Sequence, residues 1–179
     1  MLMSRKIALG MASFVLLPFL LGAQDKVQSV NWRPLAWLIG DWTGAGGGGP
    51  GQRNGSFSFH HDLQEHVLLR KSFSEYPAVA GKPAYRHDDL MVIYPADKGF
   101  RADYFDNEGH MIRYVIDVSP DGNIISLMSD ETPSGPRFRL TYHKTGENTL
   151  EGTFAIAPPG KPREFAKYLE WTAQKQAIR

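Results

Sequence analysis

The sequence predicts an all-β fold: roughly ten antiparallel strands joined up-and-down into a closed barrel, with a short helical turn before the first strand. Three observations support this. Short β-rich runs recur along the chain, with turn residues between nearly every pair. Several runs alternate apolar and polar residues at period two, the mark of a strand with one buried and one wet face. No stretch shows a long helical period, and consecutive short turns favour hairpins that close on themselves and leave no exposed edge.

The chain opens with a processing segment. Arg5 and Lys6 precede an apolar stretch from Ile7 to Leu21, interrupted by Pro18, and Leu21-Gly22-Ala23 places small residues where a signal peptidase cuts. Residues 1–23 are therefore expected to be a signal peptide and residues 24–179 a single barrel domain, periplasmic or secreted. The apolar stretch is short for a membrane span, which needs about 20 residues, so no integral span is expected after cleavage. The chain has no cysteine, which excludes a lipid-anchored lipoprotein, a disulfide framework and a thiolate metal site. The domain must rest on its core, and a hydrophobic fraction of 42% allows that. Without Arg5 and Lys6 the charges nearly cancel, so nothing points to nucleic acid or anionic lipid.

Residues 24–31 read as a polar leader. Arg33 to Ile39 suits one helical turn, with Pro34 near its start and Leu35, Leu38 and Ile39 able to cap a barrel end. Asp41–Ala45 is the expected first strand, with Gly40 allowing a sharp turn and Trp42 plugging the closed end. The glycine-rich run that follows, Gly44 to Gly51, resembles a phosphate-cradling loop but lacks the Lys-Ser/Thr ending and the helix such a loop needs. It is expected to be a strand-end loop. Nine further strands are expected: Gly55–Leu63, His66–Tyr76, Tyr85–Tyr94, Gly99–Asp106, His110–Ser119, Asn123–Ser129, Arg137–Lys144, Thr149–Ala157 and Phe165–Trp171. Turn chemistry separates them, as in Asn107-Glu108-Gly109, Pro120-Asp121-Gly122 and Pro133-Ser134-Gly135-Pro136. The last segment also fits helical spacing through Phe165, Tyr168 and Trp171. A strand is favoured there because a barrel needs one to pair with the first.

The central strands carry His, Arg, Asp and Tyr. Tyr104, Arg113 and Arg139 are the expected inward group, forming the polar end of a cavity whose other walls are apolar. Buried arginines need a counter-charge, and a ligand carboxylate such as that of a fatty acid would supply it. The competing arrangement puts these charges outside, in cross-strand ion pairs. His87-x-Asp89 places a histidine and a carboxylate on one strand face, as a metal or acid–base pair would need. The six histidines, His60, His61, His66, His87, His110 and His143, show no helical metal-ligand spacing, and no nucleophile elbow is present.

The run Trp37-Leu38-Ile39-Gly40-Asp41-Trp42-Thr43-Gly44 resembles the Gly-x-Trp-x-Gly signature at the start of nitrobindin-type and related calycin barrels. Leu90 to Tyr94, with Arg101 to Gly109, looks like the central hairpin of the bacterial lipocalin-like DUF1579 proteins. The resemblance implies a ten-stranded barrel around a central apolar cavity. Nitrobindins bind haem through a histidine late in the chain; here the last strand has none, and the latest is His143.

The leading functional expectation is an exported barrel binding a small apolar or amphipathic molecule, with no cofactor. The alternatives are a haem protein using His143 or His110 as axial ligand and an enzyme using His87, Asp89 or Tyr104 as acid–base groups.

Overall fold

Strand by strand, the alternation resolves into a single closed sheet in the computed structural model, which describes residues 29–45, 54–78 and 80–177. The expected signal peptide (residues 1–23), the leader as far as residue 28 and residues 46–51 of the glycine run lie outside the described residues. The strands are β1 (Gly40–Ala45), β2 (Asn54–Asp62), β3 (Val67–Tyr76), β4 (Tyr85–Pro95), β5 (Phe100–Asp106), β6 (Met111–Val118), β7 (Ile124–Ser129), β8 (Arg137–Lys144), β9 (Thr149–Ala157) and β10 (Ala166–Lys175). Each pairs with its sequence neighbour, and β1 pairs with β10 to close the barrel. All ten pairings are antiparallel. No helix among the described residues is long and apolar enough to cross a membrane.

One end is plugged. The 3-10 turn Arg33–Leu38 brings Leu35 and Leu38 into the interior, both buried. The Trp32 ring stacks on Phe100 at 5.1 Å and its Nε1–H donates to the Glu65 carbonyl at 2.8 Å. The Trp37 indole donates to the Gly122 carbonyl at 3.0 Å. These bonds tie the turn to the β2–β3 and β6–β7 connections. Trp42 is 1% exposed, stacks on Phe57 and donates to the Leu38 carbonyl at 2.7 Å. Gly40 sits at φ 125°, and a Cβ there would stand 3.0 Å from Lys175 Cε. Its expected role in the turn therefore has a steric reason. Above Trp42, Phe57, Phe59 and Tyr142 pack edge-to-face or tilted, with centroids 5.7–6.1 Å apart.

The last strand is longer than expected, running past Trp171 to Lys175. Its register against β9 shifts between Lys167 and Leu169, a bulge at Tyr168. The bulge reverses the side-chain parity along the strand. Leu169 and Trp171 consequently point inward, while Lys167 lies opposite Ala155 on the outer face. The slip puts Lys167 and Leu169, two residues apart in sequence, on opposite faces of the sheet.

Gly152 makes room for Trp171: a Cβ on it would fall 2.1 Å from Trp171 Cε2. Gly152→Ala should lose about 1–3 kcal/mol in urea unfolding. Adding Trp171→Phe should restore part of that loss, because the smaller ring vacates the space. Trp42→Ala should cost about 3–5 kcal/mol. A loss no larger than an ordinary surface change would show that the plug does not stabilise the barrel.

Candidate functional site

The opposite end of the barrel is hollow. A cavity of about 880 Å³ opens between the β3–β4, β5–β6, β7–β8 and β9–β10 connections. Its two long walls differ in chemistry because of strand order. Phe138 and Leu140 of β8, Phe154 and Ile156 of β9, and Leu169 and Trp171 of β10 make one wall apolar. Arg70, Ser72 and Ser74 of β3, His87 and Asp89 of β4, and Tyr104 and Asp106 of β5 make the facing wall polar. In the closed sheet these two strand groups stand across the interior from one another.

The base of the polar wall is a buried ion pair. Arg70 Nη1 donates to Asp89 Oδ1, with the two side chains 8% and 7% exposed. The Arg70 guanidinium also lies over the Phe57 ring, 5.6 Å from its centroid. Burial is the largest influence and works against its charge, but the attraction of Asp89, added to those of Tyr142 and Tyr104, more than offsets it and the pKa is raised, so Arg70 stays cationic. Arg70 Nε and the nearby Tyr142 hydroxyl are buried without hydrogen-bond partners. Burial pushes the Tyr142 phenol up to about 12, against the opposing pull of Arg70.

Above the pair, His87 Nε2 lies 3.1 Å from the Tyr104 hydroxyl and 3.8 Å from Asp89 Oδ2. Tyr104 in turn reaches Asp106 Oδ2 at 3.3 Å. Burial, then the negative charges of Asp89 and Asp106, raise the Tyr104 pKa well above the usual phenol value. Tyr104 is therefore a neutral hydrogen-bond donor at any ordinary pH. At the rim, the Tyr85 hydroxyl donates to Glu108 Oε1 at 2.6 Å, and His87 Nδ1 stands 3.2 Å from the same oxygen. Asp106 accepts bonds from the Glu108 and His110 amides and, at 2.8 Å, from the His110 ring.

The three residues expected to form the polar end part company. Tyr104 points inward. Arg113 and Arg139 do not. Arg113 is flanked by the inward Ile112 and Tyr114, so it faces out, 62% exposed and 4.0 Å from Asp103 on the neighbouring strand. Arg139 lies between the inward Phe138 and Leu140 and covers the Phe165 ring at 4.6 Å on the outer face. The competing arrangement, with these arginines outside, is the one observed. His143 also faces out, 49% exposed beside Glu151 at 3.9 Å, and cannot reach the cavity as an axial haem ligand. His110 is at the rim with its ring bonded to Asp106. The His87, Asp89 and Tyr104 side chains do meet.

Sequence reasoning missed Arg70. It sits in Val67-Leu68-Leu69-Arg70-Lys71, where apolar residues occupy both faces and a second cation follows. The usable signal was its shared parity with Leu68 and the His87-x-Asp89 pair one strand away. No protein-family model matches this chain, and no curated protein matches its sequence.

Asp89→Asn or Arg70→Met should each destabilise the fold by about 3–5 kcal/mol, since each strands a buried charge or donor set. The double variant Arg70→Met/Asp89→Leu should recover most of that loss in chemical denaturation. If the double variant loses as much as the two single variants together, the pair is not coupled. For the rim pair, bonding to Asp106 raises His110 above its ordinary 6.5. Burial alone would raise Asp106, but the His110 amide and ring bonds hold it below its ordinary 3.8. The contribution of this contact is thus complete between those two values. It is lost as pH falls through the lowered Asp106 pKa or rises through the raised His110 pKa. NMR titration of His110 should give a midpoint above 6.5 that drops in Asp106→Asn.

Proposed function

We propose that this chain is an exported, lipocalin-like barrel that holds a small amphipathic molecule with an uncharged or cationic polar end. The observation that carries this reading is the division of the 880 Å³ cavity into an apolar wall and a polar one. Its size falls in the range of small-molecule sites, about 300–1,000 Å³. The apolar body of the ligand lies against Phe138, Phe154, Ile156 and Trp171. Its polar end meets Tyr104 and His87. The charge–apolar–small pattern of residues 1–23 supports export to the periplasm or beyond.

The charges of the polar wall argue against a carboxylate head. Arg70 is the one lysine or arginine among the described residues that line the cavity, and Asp89 already neutralises it. Asp106 and Glu108 add negative charge at the rim. A fatty acid would have to leave water without a free cation to receive it, whereas a hydroxyl, amide or amine finds partners.

A titration with the neutral fluorophore N-phenyl-1-naphthylamine tests this. The probe should bind, and a long-chain alcohol or amine should displace it more readily than a fatty acid of equal length. Phe154→Arg, placed in the apolar wall, should weaken probe binding by at least about tenfold. Arg113→Ala and Arg139→Ala should leave it unchanged. Absence of probe binding, or stronger competition by the fatty acid, would count against the reading.

A further inference from the structure

The rim of the cavity holds a cluster whose protons do not balance. Three contacts link Asp106, Tyr104, His87 and Glu108 in a row: Tyr104 to Asp106, His87 Nε2 to Tyr104, and His87 Nδ1 to Glu108. Each needs one proton. A phenol and a neutral imidazole supply two between them. The Tyr85 hydroxyl already gives its own proton to Glu108 Oε1. If Tyr104 donates to Asp106, His87 must donate from Nε2, and its Nδ1 lone pair then faces a carboxylate at 3.2 Å. A positive charge at that spot closes the deficit.

The positions of the donor atoms favour a metal ion over a proton there. One atom each of His87, Asp106 and Glu108 lies within 4.8 Å of the others. Ligands around one zinc ion lie about 3.4 Å apart, given bond lengths near 2.0–2.2 Å. His87 Nδ1 and Glu108 Oε1 already meet that spacing. His110 Nδ1 stands beside both carboxylates, 2.8 Å from Asp106 Oδ2 and 3.8 Å from Glu108 Oε2, next to the three donors but not one of them. We infer that His87, Asp106 and Glu108 form a binding site for a divalent transition ion of the zinc class at the cavity mouth.

The surroundings suit that role. Two carboxylates neutralise a dication, and an imidazole among the donors suits zinc better than the all-oxygen sets that hold calcium or magnesium. Behind His87, Tyr104 and the Asp89 carboxylate lie against its other ring nitrogen, and Arg70 fixes Asp89 in turn. This is the outer shell that holds a ligating imidazole in one orientation. Glu108 and His110 are 45% and 61% exposed, which leaves the site open to ions from solvent. The ion would clip β4 to the β5–β6 turn. The inference stands on the donor atoms alone and does not depend on what the cavity binds.

Calorimetric titration of Zn²⁺ into the chelator-stripped full chain tests it, with Co²⁺ absorption as a second readout. One equivalent should bind, with a melting temperature that rises with zinc and a Co²⁺ ligand-field spectrum of low coordination number. Glu108→Gln, at an exposed position, and His87→Gln should each weaken binding by at least about tenfold. His60→Ala, at the His60–Asp41 pair elsewhere on the surface, should change nothing. Failure to bind one equivalent, equal affinity in Glu108→Gln, or a loss in His60→Ala would each overturn the site. None of these outcomes depends on the naphthylamine titration.

Discussion

Closing an antiparallel sheet on itself forces every second side chain into a confined interior, and the rest of this structure follows from how that interior is filled. An eight- to ten-stranded barrel has room for a packed core or for a ligand, but its taper and plugs decide which. Here the two ends are treated differently. Trp42, Phe57, Phe59 and Tyr142 fill one half with aromatic rings, and the 3-10 turn seals it. Towards the other end the inward residues on β3–β5 become short or polar, Ser72, Ser74, His87 and Asp106 among them, and the volume stays open. The Arg70–Asp89 pair marks the boundary. It sits on the aromatic half through Phe57 and presents its upper side to the cavity.

Such a pair contributes to the fold less than its contacts suggest. Burying both charges costs several kcal/mol per ion before their attraction repays it. What it does provide is order along β3 and β4. A one-residue slip of register would carry every inward side chain to the outer face. It would also separate Arg70 from Asp89 and leave two uncompensated charges. The pair therefore penalises the wrong register far more than it stabilises the right one. The contact of Tyr104 with His87 depends in the same way on the register of β4 against β5.

The barrel was legible because its signals are local. Turn residues sit at nearly every strand end, and the strands β8 and β9 run from Arg137–Lys144 and Thr149–Ala157 as their residue types indicate. The last strand was obscured by one residue, since the Tyr168 bulge breaks the period that sequence reading relies on. The site was harder because facing direction has to be inferred within each strand. In Arg137-Phe138-Arg139-Leu140-Thr141-Tyr142-His143 the apolar set alternates cleanly, and that alternation alone sends Arg139 outward. Grouping Arg113 and Arg139 with Tyr104 by residue type, rather than by the parity of Ile112, Tyr114, Phe138 and Leu140, placed them on the wrong face. Arg70 was harder to place, because its neighbours Leu69 and Lys71 are one apolar and one basic, and only its shared parity with Leu68 points it inward. Contacts between β4 and the β5–β6 turn join His87 to Glu108 across 21 positions of sequence, a pairing that no spacing rule encodes.

The placement of charge sets what the interior can receive. Arg101, Arg113 and Arg139 all find partners on the outer face, in Asp130, Asp103 and the Phe165 ring. Among the described residues lining the interior, the one guanidinium is spent on Asp89, and the phenols are held protonated by burial and by nearby carboxylates. A neutral phenol donates a hydrogen bond without asking for a counter-charge, so the polar wall can satisfy a guest that brings none. While no cation occupies it, the rim, with Asp106 and Glu108, repels anions and gathers cations. An anion approaching the mouth meets that negative charge first and, once inside, loses its water without gaining a free cation. A neutral guest would meet neither cost, and a cation would find carboxylates to offset the water it loses, which is why the proposed reading assigns the polar end no negative charge.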